Sequence, residues 1–309
     1  MKAALIVNPN CRLSDDAIRT VESVSRSQSW QPPLLLPTTS QETGGAQARQ
    51  ALAAGVDRIV VAGGDGTLRQ VAGALAQAGD NRPALGIMPV GAANLVARNL
   101  GLKPGQLKRS ASIALTGQPV RLAIGWVSCR IGGLWQDEQP MLAVSGIGRD
   151  AQAIATTRPW LKKRAGWLAY AESGGRQARR ENLSMKISHD GNQEATVQAW
   201  SILFAILPRL PLGIVAFPDV VPGSDIAQVL QVTISQPARW GAVAAKGLLH
   251  TRGQVDSLHY SSARRLIVKP SQPCPVQIDG DAIEEVEEVR FRVQPSAIEV
   301  HGFKKRSEF

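Results

Sequence analysis

Cysteine is scarce: Cys11, Cys129 and Cys274 lie far apart, with no C-x-x-C pair and no neighbouring histidine. That argues against a disulfide framework and a zinc site, and leaves reduced residues used for packing. An unbroken apolar run of membrane-spanning length is also missing. The most apolar later stretch, Trp200 to Val221, is interrupted by Pro208, Arg209, Pro211 and Pro218, which excludes a continuous spanning helix and limits any membrane contact to the periphery. No charged-then-apolar leader with a small-residue cleavage site stands at the start, because Met1-Lys2 runs directly into Ala3 to Val7. A cytoplasmic location is therefore expected. Acidic residues are outnumbered, 25 against 35 basic ones, for a formal net charge of +10 and a pI near 10.0. This balance favours an anionic partner: a nucleic acid, an anionic membrane or a phosphorylated substrate. No nucleic-acid-binding module is recognisable, so a nucleic acid is not the expected partner.

What is present is a chain of 309 residues, 44% of them hydrophobic, enough for two soluble domains with separate cores. The sequence is organised around Arg58 to Ala76, RIVVAGGDGTLRQVAGALA. Ile59, Val60 and Val61 form a β-branched run without polar relief, as in a parallel strand covered on both faces. Leu68, Val71, Ala72 and Leu75 then recur at the spacing of one helix face. Between them lies Gly63-Gly64-Asp65-Gly66-Thr67, a loop with three glycines. Without Cβ atoms such a loop lets backbone N–H groups close on an anion, and the following helix points its positive end at the same place. A tight turn without a ligand is the alternative. Asp65 and Thr67 tilt the reading toward phosphate: a carboxylate beside phosphates holds Mg²⁺ or accepts a proton, and a hydroxyl at a helix start caps it or donates to phosphate. The loop is neither a G-x-G-x-x-G dinucleotide fingerprint nor a Walker A loop.

The same strand-then-helix pattern recurs on either side. Strands are expected at Ala3 to Asn8, Leu34 to Leu36 and Leu85 to Met88, with helices at Ala17 to Val24, Gly45 to Ala54 and Leu95 to Leu100. Four such units predict a doubly wound parallel sheet with ligand loops at the carboxyl ends of the strands. Near Arg121 the pattern changes to alternating short strands, which places a boundary around Gly125. The expected fold class is α/β plus mostly-β, with a doubly wound nucleotide domain at 1–125 and a β-sandwich-like second domain at 126–296. A last strand, Ala297 to Val300, returns to the first domain. Other expected strands are Leu183 through Val232, Ala263 to Val268 and Val276 to Asp281, with helical segments around Ala151 to Arg180 and an acidic surface at Glu284 to Glu288.

The GGDGT loop resembles that of the diacylglycerol kinase catalytic family, which includes bacterial lipid kinases, sphingosine kinases and ceramide kinases. Pro89-Val90-Gly91-Ala92-Ala93-Asn94 is similar to the family's Pro-x-Gly-Thr-x-Asn motif, with Ala92 in place of the hydroxyl. Gly146, Gly148, Asp150 and Ala151 match its Gly-x-Gly-x-Asp-Ala stretch. Asp279-Gly280-Asp281 resembles its Asp-Gly-Glu motif, with Asp281 for Glu. Two stretches depart from the pattern. Asn8-Pro9 lacks the Ser-Gly that usually follows, and Gln228-Val229 replaces the Asp-Gly that supplies an accessory structural metal in some members, so that metal is expected to be absent or weak, with Asp225 a poor substitute.

The resemblance implies an ATP-dependent lipid kinase with Mg²⁺, acting on a diacylglycerol, phosphatidylglycerol or sphingoid acceptor that enters between the domains. It implies nucleotide contacts from Asn8, Thr39, Gly63, Gly64, Asp65, Gly66, Thr67, Gly91 and Asn94. Thr38 and Ser40 compete with Thr39, whose alternative is an ordinary helix cap. Asp65 would face Mg²⁺ through the nucleotide. Asp281 is the proposed base, and Asp65 competes for that role as it does in sphingosine kinases. A solvated hairpin turn is the alternative reading of Asp279-Gly280. Asp150 is expected to shape the substrate cleft, with helix capping preferred for it. Arg158, Lys162, Lys163, Arg164, Arg176, Arg179 and Arg180, interleaved with Trp160, Trp167 and Tyr170, suit an anionic membrane surface or simply a solvated basic face. The oligomeric state stays open, a homodimer included. An NAD kinase shares GGDGT but carries Asn-Glu where Asn94-Leu95 stands here, and a non-catalytic lipid- or nucleotide-binding protein is the remaining alternative.

Overall fold

The computed structural model describes residues 1–79, 82–156, 180–210, 214–233 and 257–302. The chain forms two compact units, one built from Met1–Ile124 together with the chain from Ser296 onward, the other from Gly125–Pro295.

The first unit alternates strand and helix: β1 (Ala3–Val7), α1 (Ser14–Ser27), β2 (Leu34–Pro37), α2 (Gly45–Ala53), β3 (Arg58–Gly63), α3 (Asp65–Gln77), β4 (Ala84–Pro89), α4 (Leu95–Asn99) and α5 (Leu107–Thr116). The strands are parallel in the order β2-β1-β3-β4. β1, β3 and β4 are buried almost throughout, as the unrelieved apolar runs require of strands covered on both faces. Leu5, Val7, Val60, Ala62 and Met88 face α1 and α5 in one core. The alternate residues Ala4, Ile6, Ile59 and Val61, equally buried, point to the opposite face, where α2 packs on α3. The sheet is therefore doubly wound. α5 was not expected, although Leu107, Ala111, Ala114 and Leu115 fall on one helix face. Gly86 marks its docking, because a Cβ there would overlap Ala114.

The second unit begins inside β5 (Gln118–Ile131), continues through β6 (Leu134–Trp135), β7 (Gln139–Met141), β8 (Val144–Gly148), α6 (Arg149–Ala155), β9 (Leu183–His189), β10 (Ala195–Ala199), β11 (Ser201–Ala205), β12 (Ala227–Val232), β13 (Leu258–Ala263), β14 (Arg265–Pro270), β15 (Cys274–Ile278) and β16 (Asp281–Val286), and closes inside β17 (Glu288–Gly302). One sheet runs β13-β12-β11-β8-β15-β16, antiparallel at every step. The other joins β10, β9, β14 and β17, with β5 also on β17. Inward residues of both sheets share one core that includes Ile187, Phe204, Val268, Val276 and Phe291, and Phe204 stacks on Phe291 at 5.2 Å. This is a β-sandwich core. Cys129 and Cys274 are packed in it, and burial pushes both thiols up to about 12.

Two expectations need correction here. The stretch Ala263 to Val268 is not one strand: the chain turns at Arg264, so β13 joins one sheet and β14 the other. Arg264 is pinned by Asp225 at 2.7 Å and, through its N–H, by Asp190 at 2.9 Å. Glu288 does not belong to an acidic surface. It is buried and accepts from Arg290 at 3.1 Å. β17 pairs with β4 in parallel through Val300 and Leu85, extending the first unit's sheet.

Candidate functional site

In the first unit the ligand loop is shorter than the sequence implied. Gly63 ends β3, Gly64 is the N-cap residue, and Asp65, Gly66 and Thr67 already form the first turn of α3. First-turn N–H groups have no acceptor within their own helix, so Gly66 and Thr67 present donors at the carboxyl end of the sheet. The next loop, after β4, comes up against this one. A Cβ on Gly91 would overlap Gly64 Cα, so the two backbones cross where only glycine allows it. Asn94 holds the second loop closed. In the left-handed region at φ 50°, it accepts the Gly91 N–H at 3.0 Å and donates to the Gly91 carbonyl at 2.6 Å. Its amide is buried and makes no helix-cap bond, so it shapes the loop rather than capping α4.

Asp65 is half-buried and accepts the Val96 N–H at 3.3 Å, linking α3 to α4. Thr67 is buried behind Gly63, where a Cβ would stand 2.9 Å from Thr67 Cβ. It sits inside the helix, not at its cap. Asn8 is turned to its own loop, where its side chain accepts the Asn10 N–H at 3.0 Å and its carbonyl accepts the Ser14 hydroxyl at 2.5 Å. Thr39 is exposed, and its hydroxyl accepts the Glu42 N–H at 3.0 Å in a local turn. Because α2 starts later, after Gly44, Thr39 is not its cap.

The second unit holds Asp150, Asp279 and Asp281. Asp281 is exposed at the start of β16. The turn before it is no ordinary solvated hairpin: the Asp279 carboxylate accepts the N–H groups of Leu142, Ala143 and Val144 at 2.7, 2.9 and 3.0 Å. Asp279 is itself at φ 50° and Gly280 at φ 91°, a pair of positive φ values suited to a tight hairpin turn. This anchoring role went unread in the sequence, where only the dipeptide was visible. Asp150 lies in the first turn of α6, after the N-cap residue Gly148. Its Oδ1 is closed off from solvent without a hydrogen-bond partner, and burial raises the carboxyl to about 6.

Among the described residues no three His, Cys, Asp or Glu side chains gather around a common point. Asp225 is engaged by Arg264, and Gln228 donates to Asp219 at 2.8 Å. Among the described residues no helix is long and apolar enough to cross a membrane. Of the basic and aromatic cluster only Arg180 is described, exposed, and the rest lies outside the described residues.

Residues 2–127 match the family model of the diacylglycerol kinase catalytic domain. A Pseudomonas aeruginosa protein called "Probable lipid kinase YegS-like" is 33% identical over 263 residues, 82% of this chain and 78% of its own. The crystal structure of a diacylglycerol kinase from Bacillus anthracis superposes with a TM-score of 0.70 at 20% identity, covering 98% of this chain and 97% of that one. An NAD kinase from Archaeoglobus fulgidus in complex with ATP is a more distant neighbour, at a TM-score of 0.51 and 12% identity over 99% and 95%. At such identities the two structures speak for the fold alone, while the sequence relative reaches to the family. The chain belongs to the diacylglycerol kinase family of lipid kinases.

Proposed function

We propose that the protein transfers the γ-phosphoryl group of ATP, with Mg²⁺, to the hydroxyl of a lipid of the diacylglycerol class, working peripherally at an anionic membrane surface. The observation that carries this reading is the crossing of the Gly64 and Gly91 backbones at neighbouring strand ends. It brings two glycine backbones together beside the first turn of a 13-residue helix, which fits a phosphate chain. When bound, ATP supplies the phosphoryl group and Mg²⁺ neutralises charge on the phosphates. The donor set suits a metal that shares phosphate oxygens, because Asp65 is the carboxylate at this loop and a hard divalent ion takes oxygen ligands.

The chain's own residues then have separate tasks. Gly66 and Thr67 offer backbone N–H groups to phosphate. Asn94 keeps the Gly91 loop in place, and Asp65 ties α4 to α3 and is the carboxylate that would hold the metal. Asp281 accepts the proton of the acceptor hydroxyl, a task that needs an accessible carboxylate on a fixed turn. The excess of basic residues favours anionic lipid surfaces.

The test is direct: incubate the protein with labelled ATP, Mg²⁺ and separate pools of diacylglycerol, phosphatidylglycerol, sphingoid bases, ceramide and NAD. Label in phosphatidic acid is expected. Label only in the NAD product would replace the reading with an NAD kinase, and no label in any pool would favour a binding protein.

A further inference from the structure

Charge is spread unevenly along the chain, and the first unit holds a one-sided piece of it. From Ala84 to Gln136 no acidic residue occurs, while Arg98, Lys103, Lys108, Arg109, Arg121 and Arg130 do. Arg121 and Arg130 are matched by acids from distant sequence, Glu299 at 3.4 Å and Glu287 at 3.7 Å. The other four are all exposed. Among the described residues Arg98, Lys103 and Lys108 form no ion pair, and the Arg98 side chain donates to the neutral Ala93 carbonyl at 2.9 Å.

Two consecutive tight turns gather these four cations. The Gly101 N–H donates to the Arg98 carbonyl at 3.1 Å and the Leu102 N–H to that of Ala97 at 2.8 Å, which closes the end of α4. The Gln106 N–H then donates to the Lys103 carbonyl at 3.3 Å, which leads the chain straight into α5. Leu100 and Leu102 are buried and Leu107 packs against the first unit's core, so the turns are anchored from below and their charges stay outside. Lys108 and Arg109 stand in the first turn of α5, which holds no acid and where the helix dipole disfavours cations. The fold itself gains little from two positive charges there. α1, which packs on α5, carries Asp15, Asp16 and Glu22 against Arg19 and Arg26, and Asp16 is already taken by Arg19 at 2.7 Å.

We propose that the segment from Arg98 to Arg109 is the surface by which the protein docks on an anionic lipid bilayer. The choice of occupant rests on the reading of the protein as a lipid kinase. The chemistry is charge complementarity: a cluster of exposed cations without counter-ions meets a sheet of negative headgroups, and each basic residue brought to such a surface strengthens binding about fivefold at ordinary salt. A nucleic acid is the other polyanion the cluster could meet, but Ala84 to Gly125 contains no aromatic side chain on which a base could stack. The segment also runs on directly from the Gly91 to Asn94 loop, and Arg98 is tied back to it. Docking here sets the proposed phosphate cradle close to the bilayer surface.

Sedimentation of the full chain with vesicles of phosphatidylcholine, with and without phosphatidylglycerol, tests this. The wild type should bind the anionic vesicles, more weakly as salt rises, and the neutral ones hardly at all. Lys103→Gln together with Lys108→Gln should weaken anionic-vesicle binding about 25-fold, with ATP affinity and turnover on diacylglycerol dispersed in neutral detergent unchanged. Undiminished vesicle binding in this double variant, or equal binding of the wild type to both kinds of vesicle, overturns the proposal. If the double variant instead loses affinity only for a short DNA duplex, the surface meets nucleic acid and the proposal falls. Should the double variant not fold, each single substitution should cost about fivefold, and no loss in either overturns the proposal equally. If vesicle binding depends on the two lysines but no lipid pool takes label from ATP, the docking surface stands and the kinase reading falls.

Discussion

The two turns that carry the acids of the proposed chemistry are built on opposite plans. In the first unit two glycine backbones meet: a Cβ on Gly91 would overlap Gly64 Cα, beside the first turn of α3. In the second unit the turn is tied down by side chains, with Asp279 taking the N–H groups of Leu142, Ala143 and Val144 and Gln277 taking that of Gly280. The difference separates two tasks. A loop that must meet a mobile anion is built of glycine, whereas a turn that must aim one side chain is tied to the chain beside it.

The strongest way to break the comparison is at the aimed side chain. Asp281→Asn keeps the shape and removes the proton acceptor, so turnover should fall by about 10²–10⁴ with ATP affinity nearly unchanged. Asp65→Asn should impair Mg·ATP binding together with turnover. If steady-state kinetics show the reverse pattern, the base is Asp65 and the two turns exchange roles.

Next comes the anchor. Asp279→Ala orphans three backbone donors, each costing about 1–3 kcal/mol when buried, so chemical denaturation should register a loss of at least about 3 kcal/mol. Gly91→Ala probes the glycine turn. The new methyl has backbone, not a flexible side chain, in its way, and overpacking of this kind costs about 1–3 kcal/mol. Nucleotide affinity should suffer more than overall stability, and intact ATP binding in this variant would mean that the crossing is not the cradle.

The smallest effect is a change of slope. Burial raises the Asp150 carboxyl in the folded state to about 6, above the ordinary aspartate value of 3.8. Its contribution is fully present below the unfolded value and is lost as pH rises through the folded one. Thermal melts from pH 4 to pH 7 should therefore show a decline in the wild type that Asp150→Asn lacks, worth on the order of 1–3 kcal/mol.

Much of the first unit was legible in the sequence, because its signals are local. β3 and α3 announce themselves by an unrelieved apolar run and a helical stripe on either side of three glycines. α5 is less legible because three of its four buried residues are serine or alanine, too weakly hydrophobic to stand out. The second unit was legible only as a class. Its pairings join residues far apart in sequence, such as Val276 with Ile147, and nothing near Arg264 announces a change of sheet. At the candidate site, residue identities were readable but contacts were not. GGDGT could be recognised, while the crossing of Gly64 and Gly91 depends on two loops meeting in space. Asp279 looked like a turn residue because its three partners lie at Leu142 to Val144.

The passage of the chain through β5 and β17 has a consequence for the order of assembly. The second unit is an insertion within the first, and β4 gains its neighbour only when the stretch around Val300 exists. During synthesis the β2-β1-β3-β4 sheet must wait with one apolar edge open while the whole inserted unit is made. Closing a pairing between Leu85 and Val300 is slow for a chain of this separation, and an open parallel edge can pair with a stranger. Whatever folds first, the first unit is finished last.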